Sequence, residues 1–363
     1  HANLVHSTHA RLTRYAGQPV TSMLLLQPLG FDVATGCLFW TLCQGGRLHL
    51  ESTDLAQDPR QLLDHMMRAR ASHLVLVPLS YLPLLDAAGP GELADLRTVI
   101  LGGEAMPPDL VARHGAALPH TALFNEYGPT EATVWASVHA VDPQARETVI
   151  PIGRPTPHSR LYCLDGRFGP QPAGVAGELL IGGPQVTRGY LAHPAQTAAS
   201  FVPDPFAPVP GARLYRTGDL VRWRRSGELE FLGRDDHQVK IRGFRIELGE
   251  IAAVIAGHPA VTDAVVVADG RAGGAKRLVA YVTGTAVPDG REMRGYLADR
   301  LPDYMIPSAF VALAAFPLTA NGKLDRRALP APDFAVRETA YAAPRTPTET
   351  LLSTIWQDVL GLE

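Results

Sequence analysis

Asp58-Pro59-Arg60-Gln61-Leu62-Leu63-Asp64-His65-Met66-Met67-Arg68-Ala69-Arg70-Ala71-Ser72-His73-Leu74-Val75-Leu76-Val77 reads as one amphipathic helix running into one buried strand. Asp58 is a good N-cap and Pro59 suits the first helical turn, where its missing N–H costs nothing. Leu62, Leu63, Met66 and Met67 then predict a single apolar helical face. The apolar run from His73 to Val77 predicts a strand, and similar runs follow at Thr98 to Leu101 and Thr121 to Phe124, each leading into turn or helix-start residues. Alternation of this kind from Asp58 to Phe124 predicts a doubly wound α/β fold, a mostly parallel sheet covered by helices. Ligands in such sheets bind beyond the carboxyl ends of strands, so Gly102-Gly103-Glu104 and Asn125-Glu126-Tyr127 lie where a site belongs.

Outward from this segment the texture changes twice. From Arg160 to about Leu232 it is β-rich, with Leu220 to Trp223 and Glu228 to Leu232 joined by a Ser226-Gly227 turn. Beyond Asp236, a strand over Gln238 to Ile246, a helix from Gly249 to Ala256, two strands across Val261 to Val282, a helix from Arg291 to Leu301 and a strand near Phe310 predict a separate small α+β lobe. The expected division is residues 1–235, a large lobe; 236–330, the small lobe; 331–345, a proline-rich linker; and 346–363, one further helix. Thr346-Pro347-Thr348-Glu349 has the form of a capping box, and Leu351, Leu352, Ile355, Trp356, Val359 and Leu360 share one apolar face.

With 363 residues, of which 46% are hydrophobic and 19% charged, the chain can bury a sizeable core in two or three domains. A formal net charge of -3 provides no basic excess to attract nucleic acid or an anionic membrane, and no apolar run approaches the length of a membrane span. Cys37, Cys43 and Cys163 lack Cys-x-x-Cys spacing and fit a reducing cytoplasm better than a disulfide framework or zinc site. The 13 histidines include no metal-binding pair of His-Glu-x-x-His type and read as surface or capping residues.

Two segments carry groups that could hold a nucleotide. Asn125-Glu126-Tyr127-Gly128-Pro129-Thr130-Glu131 presents an aromatic to stack on a purine, with a hydroxyl and a carboxylate suited to phosphate and Mg2+. Asp219, in Leu214-Tyr215-Arg216-Thr217-Gly218-Asp219, could accept hydrogen bonds from ribose hydroxyls. Taken alone, each is equally a well-made structural turn. Gly233 to Gly243 falls at the expected join between lobes, and Asn321-Gly322-Lys323 forms a turn late in the small lobe, where a solvated lysine is the plain alternative.

Together and in this order, these segments resemble the adenylate-forming superfamily, and within it the amino-acid adenylation domains of nonribosomal peptide synthetases. Gly177-Glu178-Leu179 through Gly189-Tyr190-Leu191, Tyr215 to Asp219, Gly233 to Glu250, Leu301 to Pro307 and Asn321 to Leu329 carry the resemblance, which covers essentially the whole chain. It implies a ligase that uses ATP and Mg2+ to convert an amino acid to its adenylate and then passes the acyl group to the phosphopantetheine thiol of a carrier domain, in antibiotic or siderophore biosynthesis. The helix from Thr346 looks like the start of that carrier. Tyr127 would stack on adenine with Gly103 and Glu104 along its edge; Thr130 would touch phosphate, Glu131 bind Mg2+, and Asp219 and Arg234 hold the ribose. Lys323 would be catalytic, a cation aimed where carboxylate and α-phosphate meet, its loss costing on the order of 10² to 10³ in the first step. Asp236, with Lys240 just after it, would be the hinge about which the small lobe turns between the two steps.

The resemblance also implies a side-chain pocket of Asp32, Val33, Gly36, Leu76, Ile100, Gly102, Glu126, Val134 and Trp135, with Lys323. Asp32 would pair with an α-ammonium, Gly36 and Gly102 would leave room, and Leu76, Ile100 and Val134 would form an apolar sleeve. Glu126 then places a carboxylate where a buried charge needs a partner, favouring a long side chain that ends in a donor: cationic, phenolic or amide-bearing. The other reading has Glu126 facing adenine or solvent. The family's Gly- and Ser/Thr-rich phosphate loop is expected upstream of His1 and the carrier's serine beyond Glu363, so this chain alone is expected to be weak or inactive. An acyl- or aryl-CoA ligase, and a noncatalytic platform for a carrier or an MbtH-like helper protein, are the competing readings.

Overall fold

The computed structural model describes residues 1–145, 147–235, 238–241, 244–269, 277–285, 287–317, 325–332 and 343–360. Its first sheet has, among the described residues, seven strands: β1 (Ser22–Leu25), β2 (Arg47–Leu50), β3 (His73–Leu76), β4 (Thr98–Gly102), β5 (Ala122–Tyr127), β6 (Ser137–Val141) and β7 (Arg154–Pro155). Their order is β2-β1-β3-β4-β5-β6-β7, parallel from β2 to β5 and antiparallel thereafter. Alternate strand residues supply two cores, as the pleat requires. Leu74, Leu76, Val99 and Leu101 pack with α3 (Pro59–Ala69), α4 (Pro78–Ala87) and α5 (Pro108–Ala117) on one face. Val75, Ile100 and Phe124 pack with α1 (Ala2–Arg14) and α2 (Asp32–Leu42) on the other. The doubly wound α/β arrangement follows, with helices on both faces.

Asp58 caps α3 by accepting from the backbone N–H groups of Arg60 and Gln61, and Leu62, Leu63 and Met66 are buried. Met67, expected on the same face, is exposed, because the buried stripe is only as wide as the sheet it covers.

A second, antiparallel sheet holds β8 (Arg160–Leu164), β9 (Ala176–Gly182), β10 (Phe201–Pro203, which follows α6, Pro194–Ser200), β11 (Arg213–Trp223) and β12 (Leu229–Arg234). The expected single strand from Gln238 to Ile246 is instead an antiparallel pair, β13 (Val239–Ile241) and β14 (Phe244–Ile246). The chain divides into two units, His1–Ile246 and Glu247–Glu363, so this pair belongs to the first, and the break falls after Ile246 rather than at Asp236. Within that unit Ile246 is fully buried, and Phe244 meets Phe31 edge to face at 5.4 Å between ring centres.

The second unit contains α7 (Leu248–Ala256), β15 (Asp263–Asp269), β16 (Arg277–Thr283), α8 (Gly290–Ala298) and β17 (Ala309–Ala312), with β15 antiparallel and β17 parallel to β16. It also holds α9 (Pro347–Leu360), whose capping box forms: Thr346 Oγ1 accepts from the Glu349 N–H at 3.2 Å, and Glu349 Oε2 accepts from the Thr346 N–H at 3.1 Å. Leu351, Leu352, Ile355 and Trp356 on this helix are exposed. No helix among the described residues is long and apolar enough to cross a membrane.

Candidate functional site

Beyond the carboxyl ends of β3, β4 and β5 lies a cleft of about 370 Å³. It brings together Asp32, Val33, Leu76, Ile100, Gly102, Gly103, Glu126, Tyr127, Thr130, Val134, Asp219 and Arg234, twelve residues scattered over some two hundred positions. Glu104 lines an adjoining cavity of about 320 Å³ with Met106, Asn125, Tyr127, Ile150 and Phe231. Glu131 is buried beside Tyr190, whose hydroxyl donates to its Oε1 at 2.7 Å. Asp236 and Lys323 lie outside the described residues; the backbone of Lys240 stands in β13 opposite Arg245.

Asp219 reaches the cleft through a bulge. Arg216 pairs with Leu180 and Leu220 with Glu178, so Thr217, Gly218 and Asp219 together face Leu179 alone. Bulges re-aim side chains in this way, and Gly218 supplies the left-handed φ of 70° that the extra residues need. The segment is thus an irregularity inside β11 rather than a turn. Thr217 Oγ1 ties it down by donating to the Leu179 carbonyl at 2.7 Å and accepting from the Asp219 N–H at 2.9 Å. Cross-strand pairing sets Arg234 opposite, and its Nη1 donates to Asp219 Oδ1 at 2.6 Å, while the Tyr127 hydroxyl donates to Asp219 Oδ2. Burial, and then the Asp219 charge, pushes the Tyr127 hydroxyl well above the ordinary tyrosine range. It remains a donor.

Asp32 opens α2, where a carboxylate complements the positive end of the helix dipole. Burial pushes its carboxyl above the ordinary range, partly offset by hydrogen bonds from Thr130 and the Val33 N–H. It has no ion-pair partner among the described residues.

The wall at Val134 is held under strain. Thr133 and Val134 have φ of 54° and 79°, a region β-branched residues rarely enter. Ser7 Oγ donates to the Thr133 carbonyl at 2.9 Å and Thr133 Oγ1 donates to the Gln185 carbonyl at 2.7 Å, which clamps the loop. Gly128 lets its two arms meet, since a Cβ there would stand 2.3 Å from Trp135 Cα.

Four expectations about the pocket change. Gly36 opens no space: a Cβ there would meet Val134 Cγ1 at 3.1 Å, so its room is already filled. Gly102 is required by close approach, because a Cβ would lie 2.8 Å from the Glu126 carbonyl oxygen of the neighbouring strand. Trp135 is core, 1% exposed. Most consequentially, the Glu126 carboxylate has its partners within the chain: Arg11 Nη2 donates to Oε2 and the Tyr15 hydroxyl to Oε1, both at 2.6 Å. Burial alone would lower the Arg11 pKa, but Glu126 and Tyr15 outweigh it and hold it above the ordinary value.

Arg11 and Tyr15 were absent from the sequence-derived set. The available signal was their four-residue spacing, one helical turn apart on the face that also carries Ser7. Gln27, Thr217 and Gln238 also line the cleft and carried no such signal.

Among families of known proteins, the one described as AMP-binding enzyme matches residues 1–191, and the AMP-binding enzyme C-terminal domain matches residues 250–323. The chain is 43% identical to tyrocidine synthase 3 of Brevibacillus parabrevis, over 94% of its own length and 5% of that protein's. It is 41% identical to bacitracin synthase 3 of Bacillus licheniformis, over all of its own length and 6% of the relative's. Among solved structures, a four-domain nonribosomal peptide synthetase bound to AMP and glycine matches 99% of this chain and 27% of its own, at 39% identity and a TM-score of 0.59. A nonribosomal peptide synthetase protein containing adenylation and carrier domains, bound to a vinylsulfonamide inhibitor, matches 95% of this chain and 57% of its own, at 31% identity and a TM-score of 0.75. The chain therefore spans less than a tenth of the length of the two synthases.

Proposed function

This chain belongs to the AMP-binding enzyme family, and on that premise we propose that it activates an amino acid with ATP and transfers it to the phosphopantetheine thiol of a carrier domain in nonribosomal peptide synthesis. The observation that carries the reading is Asp32, a carboxylate without an ion-pair partner among the described residues, in the same cleft as the Tyr127–Asp219–Arg234 group. An α-ammonium at Asp32 gains a charge-assisted contact and relieves the cost of burial. The Asp219 carboxylate has lone-pair capacity for ribose hydroxyls, and the adjoining cavity at Gly103 and Tyr127, largely apolar and about 320 Å³, is assigned to adenine.

With the ammonium at Asp32, the substrate carboxylate attacks the α-phosphorus of ATP, a P–O bond forms to the carboxylate oxygen, and pyrophosphate leaves. Thr130 at the cleft mouth is assigned a phosphate contact, and Lys323 the negative charge that crowds between the reagents. Glu131 would hold Mg2+, whose charge offsets that of the phosphates. The carrier thiol then attacks the acyl carbonyl and AMP departs; rotation about Asp236, with Lys240 beside it, is assigned to the change between steps. The exposed apolar face of α9 fits a helix that packs within a carrier domain. An MbtH-like helper belongs to this reading as an accessory partner.

ATP–pyrophosphate exchange across an amino-acid panel, in the natural protein carrying this chain and with and without the helper, tests the proposal. Exchange with one or a few α-amino acids is expected. Thioester formation on free CoA without a carrier would replace it with the CoA-ligase reading.

A further inference from the structure

The substrate class of the cleft is written on α1, a helix that contributes no residue to the cleft lining. Ser7 and Arg11 on α1 and Tyr15, its C-cap, follow at four-residue intervals; Ser7 clamps the strained loop behind Val134, and Arg11 and Tyr15 grip the two oxygens of Glu126. The Arg11 side chain is 2% exposed and that of Glu126 8%. The Arg11 guanidinium lies between the rings of Trp40, at 5.2 Å, and Trp135, at 4.8 Å. Its Nε and Nη1 are buried without hydrogen-bond partners among the described residues, so its charge depends on Glu126.

We propose that Arg11 and Tyr15 are positioning residues that neutralise Glu126, converting the acid at the side-chain end of the cleft into an uncharged wall, and that the chain consequently selects an amino acid with an uncharged, apolar side chain. The inference rests on the adenylation reading. A cationic side chain entering the sleeve of Val33, Leu76, Ile100 and Val134 meets a carboxylate already paired and, behind it, a buried guanidinium of its own sign. Taking Glu126 for itself would strand Arg11 between two indoles without a counter-ion, which is the costly way to break a buried pair. An apolar side chain disturbs nothing and covers the apolar sleeve.

The test is binding calorimetry of this chain with 5′-O-(aminoacyl)sulfamoyl adenosines, which mimic the adenylate and carry no β- or γ-phosphate. Leucyl, phenylalanyl, ornithyl and lysyl forms are compared, with AMP alone as reference. The leucyl or phenylalanyl form is expected to bind about tenfold or more tighter than the ornithyl form. In Arg11→Met the ratio should invert as Glu126 becomes available to a cation. Adding Glu126→Gln to that variant should restore the preference for uncharged side chains, and Arg11→Lys should keep it. If Arg11→Met does not fold, Tyr15→Phe retains the ring, frees one carboxylate oxygen and should move the ornithyl-to-leucyl ratio upward by about threefold. Tightest wild-type binding of the ornithyl or lysyl form overturns the proposal, as does a folded Arg11→Met, or a Tyr15→Phe, with the order and ratio unchanged. Failure of AMP and every analogue to bind would instead remove the adenylation reading beneath it.

Discussion

Val134 offers a measurement in which strain and selectivity separate. At φ 79° any residue with a Cβ is held against its preference, at about 1–2 kcal/mol. Val134→Ala keeps the Cβ, and with it the strain, while removing two methyls from a half-buried position, a loss of about 1 kcal/mol. Val134→Gly removes the Cβ as well. That gives up about 0.5 kcal/mol more burial and about 0.5–1 kcal/mol in unfolded-chain entropy, but regains the about 1–2 kcal/mol of strain. The glycine variant should therefore fall between about 0.5 kcal/mol less and about 1 kcal/mol more stable than the alanine variant, where the same terms at an unstrained site favour alanine by about 1–1.5 kcal/mol. Urea unfolding followed by tryptophan fluorescence, with the slopes unchanged between variants, reads the difference from the midpoints. Both variants lose the cleft wall, so both should bind a leucyl or phenylalanyl adenylate mimic more weakly than wild type. An alanine variant more stable than the glycine variant by the ordinary margin would refute the reasoning, because the clamp by Ser7 and Gln185 would then be holding an unstrained loop.

Other expectations follow from the same geometry. Since burial raises the Asp32 carboxyl above its ordinary value, adenylate-mimic binding should weaken, as pH falls, at a higher pH than for an ordinary carboxylate. In the unliganded protein the sign is opposite: the stability Asp32 contributes is present below its unfolded value and lost as pH rises through its raised folded value. Asp32→Asn should remove both dependences and weaken ligand binding about 10- to 100-fold, measured by calorimetry and denaturant titration. Tyr127→Phe should cost about 1–3 kcal/mol of stability with a less than about tenfold change in AMP affinity, because the ring stays and one hydrogen bond goes. Asp219→Ala should lower AMP affinity more, and equal effects would contradict the ribose assignment. Lys323→Ala should slow adenylate formation on the order of 10² to 10³. Asp236→Pro should spare adenylate formation and depress thioester transfer, and equal loss of both steps would sink the hinge assignment.

The α/β architecture was legible because its signals are local. Asp58-Pro59 caps α3 with adjacent atoms, and β3, β4 and β5 are short apolar runs whose burial on both faces leaves no alternation to misread. What the sequence hid was pairing. Gln238 to Ile246 reads as one strand, yet it contains the antiparallel pair β13 and β14, because alternation marks faces and carries no record of where a chain reverses. The Thr217–Asp219 segment reads as a turn for the same reason: its extra residues become a bulge only against Leu179 of β9.

The site shows the same division in its charges. A buried carboxylate must have a partner, but that rule does not say whether the partner is ligand or protein. Glu126 and Asp219 both read as acids awaiting a substrate group. Glu126 is paired to Arg11 across 115 residues of sequence, and Asp219 to Arg234 and to Tyr127 across 92. No local pattern connects residues that distant. Asp32 differs: among the described residues it has hydroxyl and backbone donors and no ion-pair partner, and burial pushes its carboxyl up where a cation in contact would have held it down. Of the three acids that line the cleft among the described residues, it is therefore the one that still gains from an incoming ammonium. That asymmetry orients an α-amino acid with its charged end at α2 and its side chain toward the neutralised wall at Glu126, which is why a buried arginine on α1 bears on the choice of substrate.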